Sequence, residues 1–275
     1  MGAMVLPKLY SNINISKVTC QKLVEKYKHL ISWRKNESIL EIGIGDGSNS
    51  QNTIRPLLPK DYKEYIASDV SVNMLKHVKE TYSIPNAQFR NFDISGEPPE
   101  DFKDRFDHIF SLFTLHMVPN PSLVFKNNFT MLKEGGQMFH VFFDEMPSDP
   151  VFEFLHNHPK WSKYGHNRML SPYFKLPNRR QLYHNDIQKA GFIDYVFEVE
   201  RDMTYPYENE QIVTDLYMAI NIILPDIPDS EKEEYTEYYL KKSKELCFSP
   251  VLCEDGKVAK WGNKYNMFVI CATKK

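Results

Sequence analysis

Acidic residues and glycines interleave in the stretch Ile39-Leu40-Glu41-Ile42-Gly43-Ile44-Gly45-Asp46-Gly47-Ser48. Glycines at alternate positions let a backbone pass close to a bound molecule. Their spacing, G-x-G-x-G, differs from the G-x-G-x-x-G that sets a helix N-terminus on a pyrophosphate. Glu41 and Asp46 repel phosphate and suit a ligand with a positive centre. Asp69 lies about twenty residues beyond the glycines, where a carboxylate accepts both hydroxyls of a ribose. Asp93 ends the next apolar run and can accept a hydrogen bond from the exocyclic amine of adenine. One ligand answers all of these: S-adenosylmethionine, whose sulfonium and ammonium lie in the part that Glu41 and Asp46 face. His116, past a fourth apolar run, can donate a hydrogen bond to an acceptor's carboxylate.

These residues need strand ends to hold them. Residues 38 to 43 read as a buried parallel strand, followed by the glycine turn and a helix that stops near Arg55, before Pro56 and Pro59. Strands follow at Tyr65 to Ser68, Gln88 to Phe92, Phe106 to Leu112 and Met138 to Phe143. Helices lie between them, one opened by Ser71 and one by Asn120 and Pro121 and closed by Gly135 and Gly136. Ahead of them all, residues 16 to 32 place Cys20, Leu23, Val24, Tyr27, Leu30 and Ile31 on one helical face. This βαβαβ order predicts an α/β fold, a doubly wound, Rossmann-like sheet.

The second half breaks that rhythm. Aromatic-rich helical pieces punctuated by proline fill 144–178. A helix near 179 to 190 ends at Gly191 and a strand runs from Tyr195 to Glu200. An insertion at about 206–260 holds an apolar helix, Ile212 to Leu224, and a charged one, Ser230 to Cys247. Asn266 to Cys271 forms a closing strand. The expected organisation is a single domain over 5–275. Its core is 5–143, with seven strands in all, and the helical insertions 144–190 and 206–260 form a lid over the strands' C-terminal face.

Composition narrows the partners. The 275 residues carry a net charge of −2, with no basic footprint for nucleic acid. No run approaches the length of a membrane span, and Cys20, Cys247, Cys253 and Cys271 show neither metal-ligand spacing nor a disulfide framework. These features predict a cytosolic protein without a metal, monomeric or homodimeric, acting on a small molecule. The 18 Phe and 16 Tyr exceed what the sheet needs and suit either a pocket for an apolar ligand or simple core packing. Met1-Gly2-Ala3 reads as a cleavage scar ahead of Met4.

Four segments resemble the motifs of class I S-adenosylmethionine-dependent methyltransferases: Glu41-x-Gly43-x-Gly45-x-Gly47, Ser68-Asp69-Val70-Ser71 followed by Met74, Phe92-Asp93-Ile94, and Leu132-Lys133-Glu134-Gly135-Gly136. That resemblance implies cofactor contacts from Glu41, Gly43, Gly45, Asp46, Asp69, Val70, Met74, Phe92, Asp93, Ile94 and Ser111, and a last strand inserted antiparallel. A narrower one runs through Leu9-Tyr10, Phe106 to Ser111, Thr114-Leu115-His116, Lys160-Trp161, Ser171-Pro172-Tyr173 and Ala219-Ile220-Asn221. These are similar to insect juvenile hormone acid O-methyltransferases, which methylate the carboxylate of farnesoic or juvenile hormone acid. After Thr-Leu-His those enzymes carry Trp, where this chain has Met117. Near the start they carry Gln, where it has Ser16 or Lys17.

A carboxylate acceptor is already anionic near neutral pH and needs no general base. The chain must align the reacting atoms and exclude water, with His116 in the catalytic position. Tyr10, Met117, Trp161, Tyr164, Tyr173 and Asn221 are the expected acceptor contacts. Two other readings stand beside this one. A small-amine N-methyltransferase would hold its cation with acids or aromatic faces, and the lid could supply Asp144, Glu145 or Glu198. The other is a cofactor-binding protein that has lost turnover and serves as a partner or sensor, against which the intact loop and strand-end acids argue.

Overall fold

The computed structural model describes residues 6–13, 15–84, 86–253 and 255–275; the expected scar lies outside them. Five parallel strands form the body of the sheet: β1 (Ser38–Ile42), β2 (Glu64–Asp69), β3 (Ala87–Asn91), β4 (Phe106–Leu112) and β5 (Leu132–Phe143). Three antiparallel strands complete it: β6 (Asp194–Tyr207), β7 (Ser249–Leu252) and β8 (Val258–Thr273). The order is β3-β2-β1-β4-β5-β8-β6, with β7 paired to β8 off that path. The order reverses between β1 and β4, and the crevice outside their carboxyl ends is where open α/β sheets bind ligands.

Alternation along β1 assigns its two faces. Leu40 and Ile42 pack with Ile66, Ile109 and Met138 under α4 (Pro121–Met131) and α6 (Arg179–Ala190). Ile39 packs with Tyr65, Phe110 and Phe139 under α2 (Ile15–Tyr27). Glu41 shares the face of Ile39, because side chains two apart in a strand lie on one side. Caps follow the sequence signals: Ser71 Oγ accepts from the Met74 N–H at the start of α3 (Val72–Thr81), and Gly191 closes α6 at φ +110°.

Several boundaries differ from expectation. A short α1 (Pro7–Ser11) precedes α2, which ends at Tyr27 and continues only as a 3₁₀ turn, Lys28–Leu30. The helix after the glycine loop is a wide π-type turn, Ser50–Ile54, tightened into a 3₁₀ turn at Arg55–Leu57 by Pro56. Gly135 and Gly136 do not close α4; they lie inside β5, where the β4–β5 register shifts and Gly135 takes φ +74°.

The largest difference lies in the second half. α5 (Asp149–His156) and two 3₁₀ turns, Ser162–Tyr164 and His166–Met169, occupy the first insertion. The second holds α7 (Glu210–Ile220) and α8 (Asp229–Cys247), but its expected edges are strand. β6 continues to Tyr207, β8 begins at Val258, and β7 makes an eighth strand. Tyr205, Tyr207, Trp261 and Tyr265 favour that extended conformation. Among the described residues no helix is long and apolar enough to cross a membrane.

Candidate active site

The turn after β1 is fastened to its neighbour: the N–H groups of Gly43 and Ile44 both donate to the Ser68 carbonyl, at 2.8 and 3.0 Å. Gly43 sits at φ +73°, and a Cβ there would stand 2.1 Å from Thr114 Oγ1. Gly45 also has positive φ, yet nothing lies within 4 Å of where its Cβ would be. The first glycine is thus required by the fold; the second keeps space open for a ligand.

Asp69 closes the far side. Its Oδ2 accepts from the Gly45 N–H at 2.9 Å and its Oδ1 from the Ser71 N–H at 2.7 Å. Burial pushes its carboxyl above the usual range, opposed by those backbone donors. Each oxygen retains acceptor capacity beyond its backbone bond. Asp46 Oδ1 accepts from the Ser48 backbone and hydroxyl, at 3.1 and 2.6 Å. Asn49 Oδ1 is buried without a hydrogen-bond partner among the described residues. Over these residues lies a solvent-open pocket, walled on its apolar side by Val70, Phe92, Ile94 and Leu112. Tyr10, Phe113, Thr114 and Met117 complete it.

This donor set fits S-adenosylmethionine. Apolar walls suit adenine, Asp69 offers acceptors to ribose hydroxyls, and Asp46 with the unpartnered Asn49 Oδ1 offers acceptors to an ammonium.

A second cavity adjoins the first and shares three wall residues with it, Tyr10, Phe113 and Met117. Phe113 takes φ +59°, an uncommon conformation for a bulky residue, and its N–H donates to Val141 O at 2.7 Å. Further walls come from His116, Phe143, Met146 and Met169, and from Leu216, Tyr217 and Ile220 of α7. Tyr207 and Asn263 line it from the sheet extension. Among the described wall residues none is an acid, a lysine or an arginine.

His116 lies between the rings of Phe113 and Phe143, with centroids at 5.9 and 4.9 Å. The Phe143 N–H reaches its Nδ1 over a long 3.5 Å, which favours the tautomer carrying its proton on Nε2. Burial pulls the imidazole down to about 3. At neutral pH His116 is an uncharged hydrogen-bond donor.

Sequence-assigned residues divide accordingly. Gly43, Gly45, Asp46, Asp69, Val70, Phe92 and Ile94 line the cofactor cavity, and Tyr10 and Met117 line both. Four cofactor candidates stand outside its walls. Glu41 faces α2, accepting from Ser50 Oγ at 2.5 Å and from the Tyr65 hydroxyl, and burial pushes it up to about 7. Met74 is buried in the first turn of α3, as the cap donor to Ser71. Between Phe92 and Ile94, Asp93 turns its Oδ1 to the Ser95 backbone and hydroxyl, at 2.9 and 2.6 Å. Ser111 Oγ donates to Ile42 O at 3.1 Å and clamps β4 to β1.

Four acceptor candidates are also displaced. Trp161 packs edge-on to Tyr235 at 5.3 Å, and Tyr164 donates its hydroxyl to Glu231 at 2.9 Å. Asn221 donates from Nδ2 to the Tyr235 hydroxyl at 3.1 Å and accepts from the Ile223 N–H at 3.0 Å. Tyr173 sits on the opposite face of the sheet, its hydroxyl on Asp186. The first three build the lid onto α8; Tyr173 packs on α6. The residues missed were Asn49, Phe113, Phe143, Met146, Met169, Tyr207 and Asn263. Of these Phe113, between the β4 run and His116, and Phe143, at the carboxyl end of an expected strand, had a positional signal. The α7 positions 213, 216, 217 and 220 were legible as an apolar helical stripe.

Fold and site together define a class I S-adenosylmethionine-dependent methyltransferase. The family model described as a methyltransferase domain matches residues 19–193, and the chain belongs to that family. It is 26% identical over 243 residues to the juvenile hormone acid O-methyltransferase of Bombyx mori, covering 86% of each chain. It is 25% identical over 240 residues to the Drosophila melanogaster protein of the same name, covering 84% of this chain and 80% of that one. Among solved structures, the YcgJ protein from Bacillus subtilis superimposes with a TM-score of 0.55 at 14% identity, over 94% of this chain and 99% of that one.

Proposed function

We propose that this methyltransferase O-methylates the carboxylate of a small, largely apolar acid, of isoprenoid type. The observation that carries the reading is the pair of adjoining cavities. One is lined with acceptors for a cationic cofactor; the other is apolar, with neutral His116 in its wall. Juvenile hormone acid O-methyltransferases as relatives support the same acceptor group.

Bound S-adenosylmethionine supplies an electrophilic methyl group. The chain's own residues do the rest. An apolar enclosure excludes water and strengthens attraction between a carboxylate and a cation. His116 Nε2–H donates to one carboxylate oxygen and leaves the other as the nucleophile. No general base is needed, because the acid is ionised near pH 7. Tyr10, Phe113 and Met117, common to both cavities, set the passage between them. Core and lid act as one unit in this reading, since each contributes walls to the acceptor cavity.

The acids named for the amine alternative do not line the acceptor cavity, which leaves an amine only the aromatic walls. Asp144 is held by Arg179 at 2.8 and 3.0 Å, and Glu145 lies 3.0 Å from the same guanidinium. Glu198 is exposed on β6. With an acid as acceptor, kcat should stay level from about pH 6.5 to 9, where neither carboxylate nor His116 titrates. With an amine, which must lose a proton to attack, the rate should climb. A steep climb at saturating cofactor would overturn the proposal.

A further inference from the structure

The acceptor cavity is mostly apolar; besides His116 its described wall carries the hydroxyls of Tyr10, Ser148 and Tyr217 and, away from His116 in the chain, the polar pair Tyr207 and Asn263. That pair is hydrogen-bonded and lies on the sheet extension. Tyr207 of β6 donates its hydroxyl to Asn263 Oδ1 of β8 at 2.6 Å. Asn263 Nδ2 donates to the Cys247 carbonyl at 2.7 Å. Both residues line the cavity and are only 3% and 2% exposed. An amide nitrogen carries two N–H groups, and a phenolic oxygen that has donated still accepts. Among the described residues one Asn263 N–H and one Tyr207 lone pair therefore remain unspent at this buried wall. Burial of polar capacity without a partner is unfavourable, and a ligand that completes it is correspondingly selected.

Strand register sets this pair's distance from the reacting end. Phe143, whose N–H reaches His116, is paired with Met267 of β8. Asn263 lies four residues earlier on the same strand and the same face, about 13 Å away at about 3.3 Å per residue.

We infer that Tyr207 and Asn263 form a distal recognition site for a hydroxyl group, so that the preferred acceptor is an apolar acid with a hydroxyl far from its carboxylate. A hydroxyl donates to Tyr207 Oη and accepts from Asn263 Nδ2 at once; a hydrocarbon end leaves both unpaired. This inference rests on the carboxylate reading for the near end only.

Decanoic acid and ω-hydroxydecanoic acid are the probes, differing by the single hydroxyl. Their affinities for the protein loaded with S-adenosylhomocysteine are measured by calorimetry, and their kcat/KM ratio by competition. The wild type should favour the hydroxy acid about tenfold or more in both readouts. Tyr207→Phe should bring the ratio to within about twofold of unity, and so should Asn263→Ser. Circular dichroism and cofactor affinity show that each variant is folded. A wild type that binds both acids equally, or prefers decanoic acid, overturns the inference. So does a preference that survives in folded Tyr207→Phe and Asn263→Ser. If binding discriminates tenfold but neither acid is methylated, the distal site stands and the carboxylate reading falls. If both are methylated without discrimination, the reverse holds.

Discussion

Replacing Asp69 by alanine separates the cofactor site's binding energy from its stability. The carboxylate accepts from Gly45 and Ser71 through different oxygens, so its remaining lone pairs point where ribose hydroxyls can meet them. Hydrogen bonds to a charged group contribute roughly 1.5–3 kcal/mol, so affinity for S-adenosylmethionine should fall by about one to two decades. Fold stability should change much less, because two effects oppose. Alanine strands two backbone donors, at about 1 kcal/mol each. It also removes a carboxylate whose charged form burial disfavours. The sign follows from the raised pKa. Asp69's titration stabilises the fold fully below its unfolded value and progressively less as pH rises through the folded one. The stability deficit of Asp69→Ala should therefore be larger at pH 4 than at pH 7, where a net loss of about 1 kcal/mol lowers Tm by about 2–4 °C. Calorimetric titration gives the affinity and thermal melts at the two pH values give the stability. Wild-type affinity in the folded variant would refute the ribose assignment.

The two glycines should part company in the same assays. Gly43→Ala drives a Cβ into Thr114 and should cost several kcal/mol of stability, whereas Gly45→Ala should stay folded and lose cofactor affinity; equal melting temperatures for the two would contradict this. Glu41, pushed up to about 7 by burial, stabilises fully below its unfolded pKa and loses that contribution as pH rises through 7. Glu41→Gln should match the wild type near pH 5 and exceed it at pH 8 by up to about 3 kcal/mol, and urea midpoints that show no such divergence would remove the charge from the account. Met117, shared by both cavities, should govern selectivity at the passage. Met117→Trp should shift competition toward the linear farnesoid acid with little change in cofactor affinity, and a ratio unmoved within about twofold would show that another residue decides.

The doubly wound sheet was readable because most of its parallel strands are apolar runs bounded by glycine, proline or an acid, with short helical crossovers between them. Gly43, Gly45 and Asp69 were readable as pocket-lining residues for the same reason: local spacing places them at strand ends. Reading failed where the face of a side chain mattered. Glu41 and Asp93 carry the right chemistry at the right strand ends, but period-two alternation turns Glu41 toward α2, and a turn ties Asp93 to Ser95. The acceptor cavity was less legible still. Its walls come from segments far apart in the chain, among them Tyr10, Phe143, Leu216 and Asn263. No periodicity in any one of them says that they meet. Trp161 and Asn221 were expected as ligand contacts because they fall in segments similar to the juvenile hormone acid O-methyltransferases. Here those side chains satisfy Tyr235 and the lid interior. The extension of β6 and β8 beyond their expected ends was hidden by an aromatic-rich sequence that suits either a strand or a lid.

The central claim, methyl transfer to a carboxylate, is tested most directly by the bond that forms. The protein is incubated with S-adenosylmethionine labelled in its methyl group and a mixture of isoprenoid acids, fatty acids and small amines, and the product is treated with mild alkali. A methyl ester hydrolyses and releases the label as volatile methanol; a methyl group on nitrogen stays where it is. The account predicts volatile label that appears only when an acid is present. Label held in a base-stable product from an amine would contradict it.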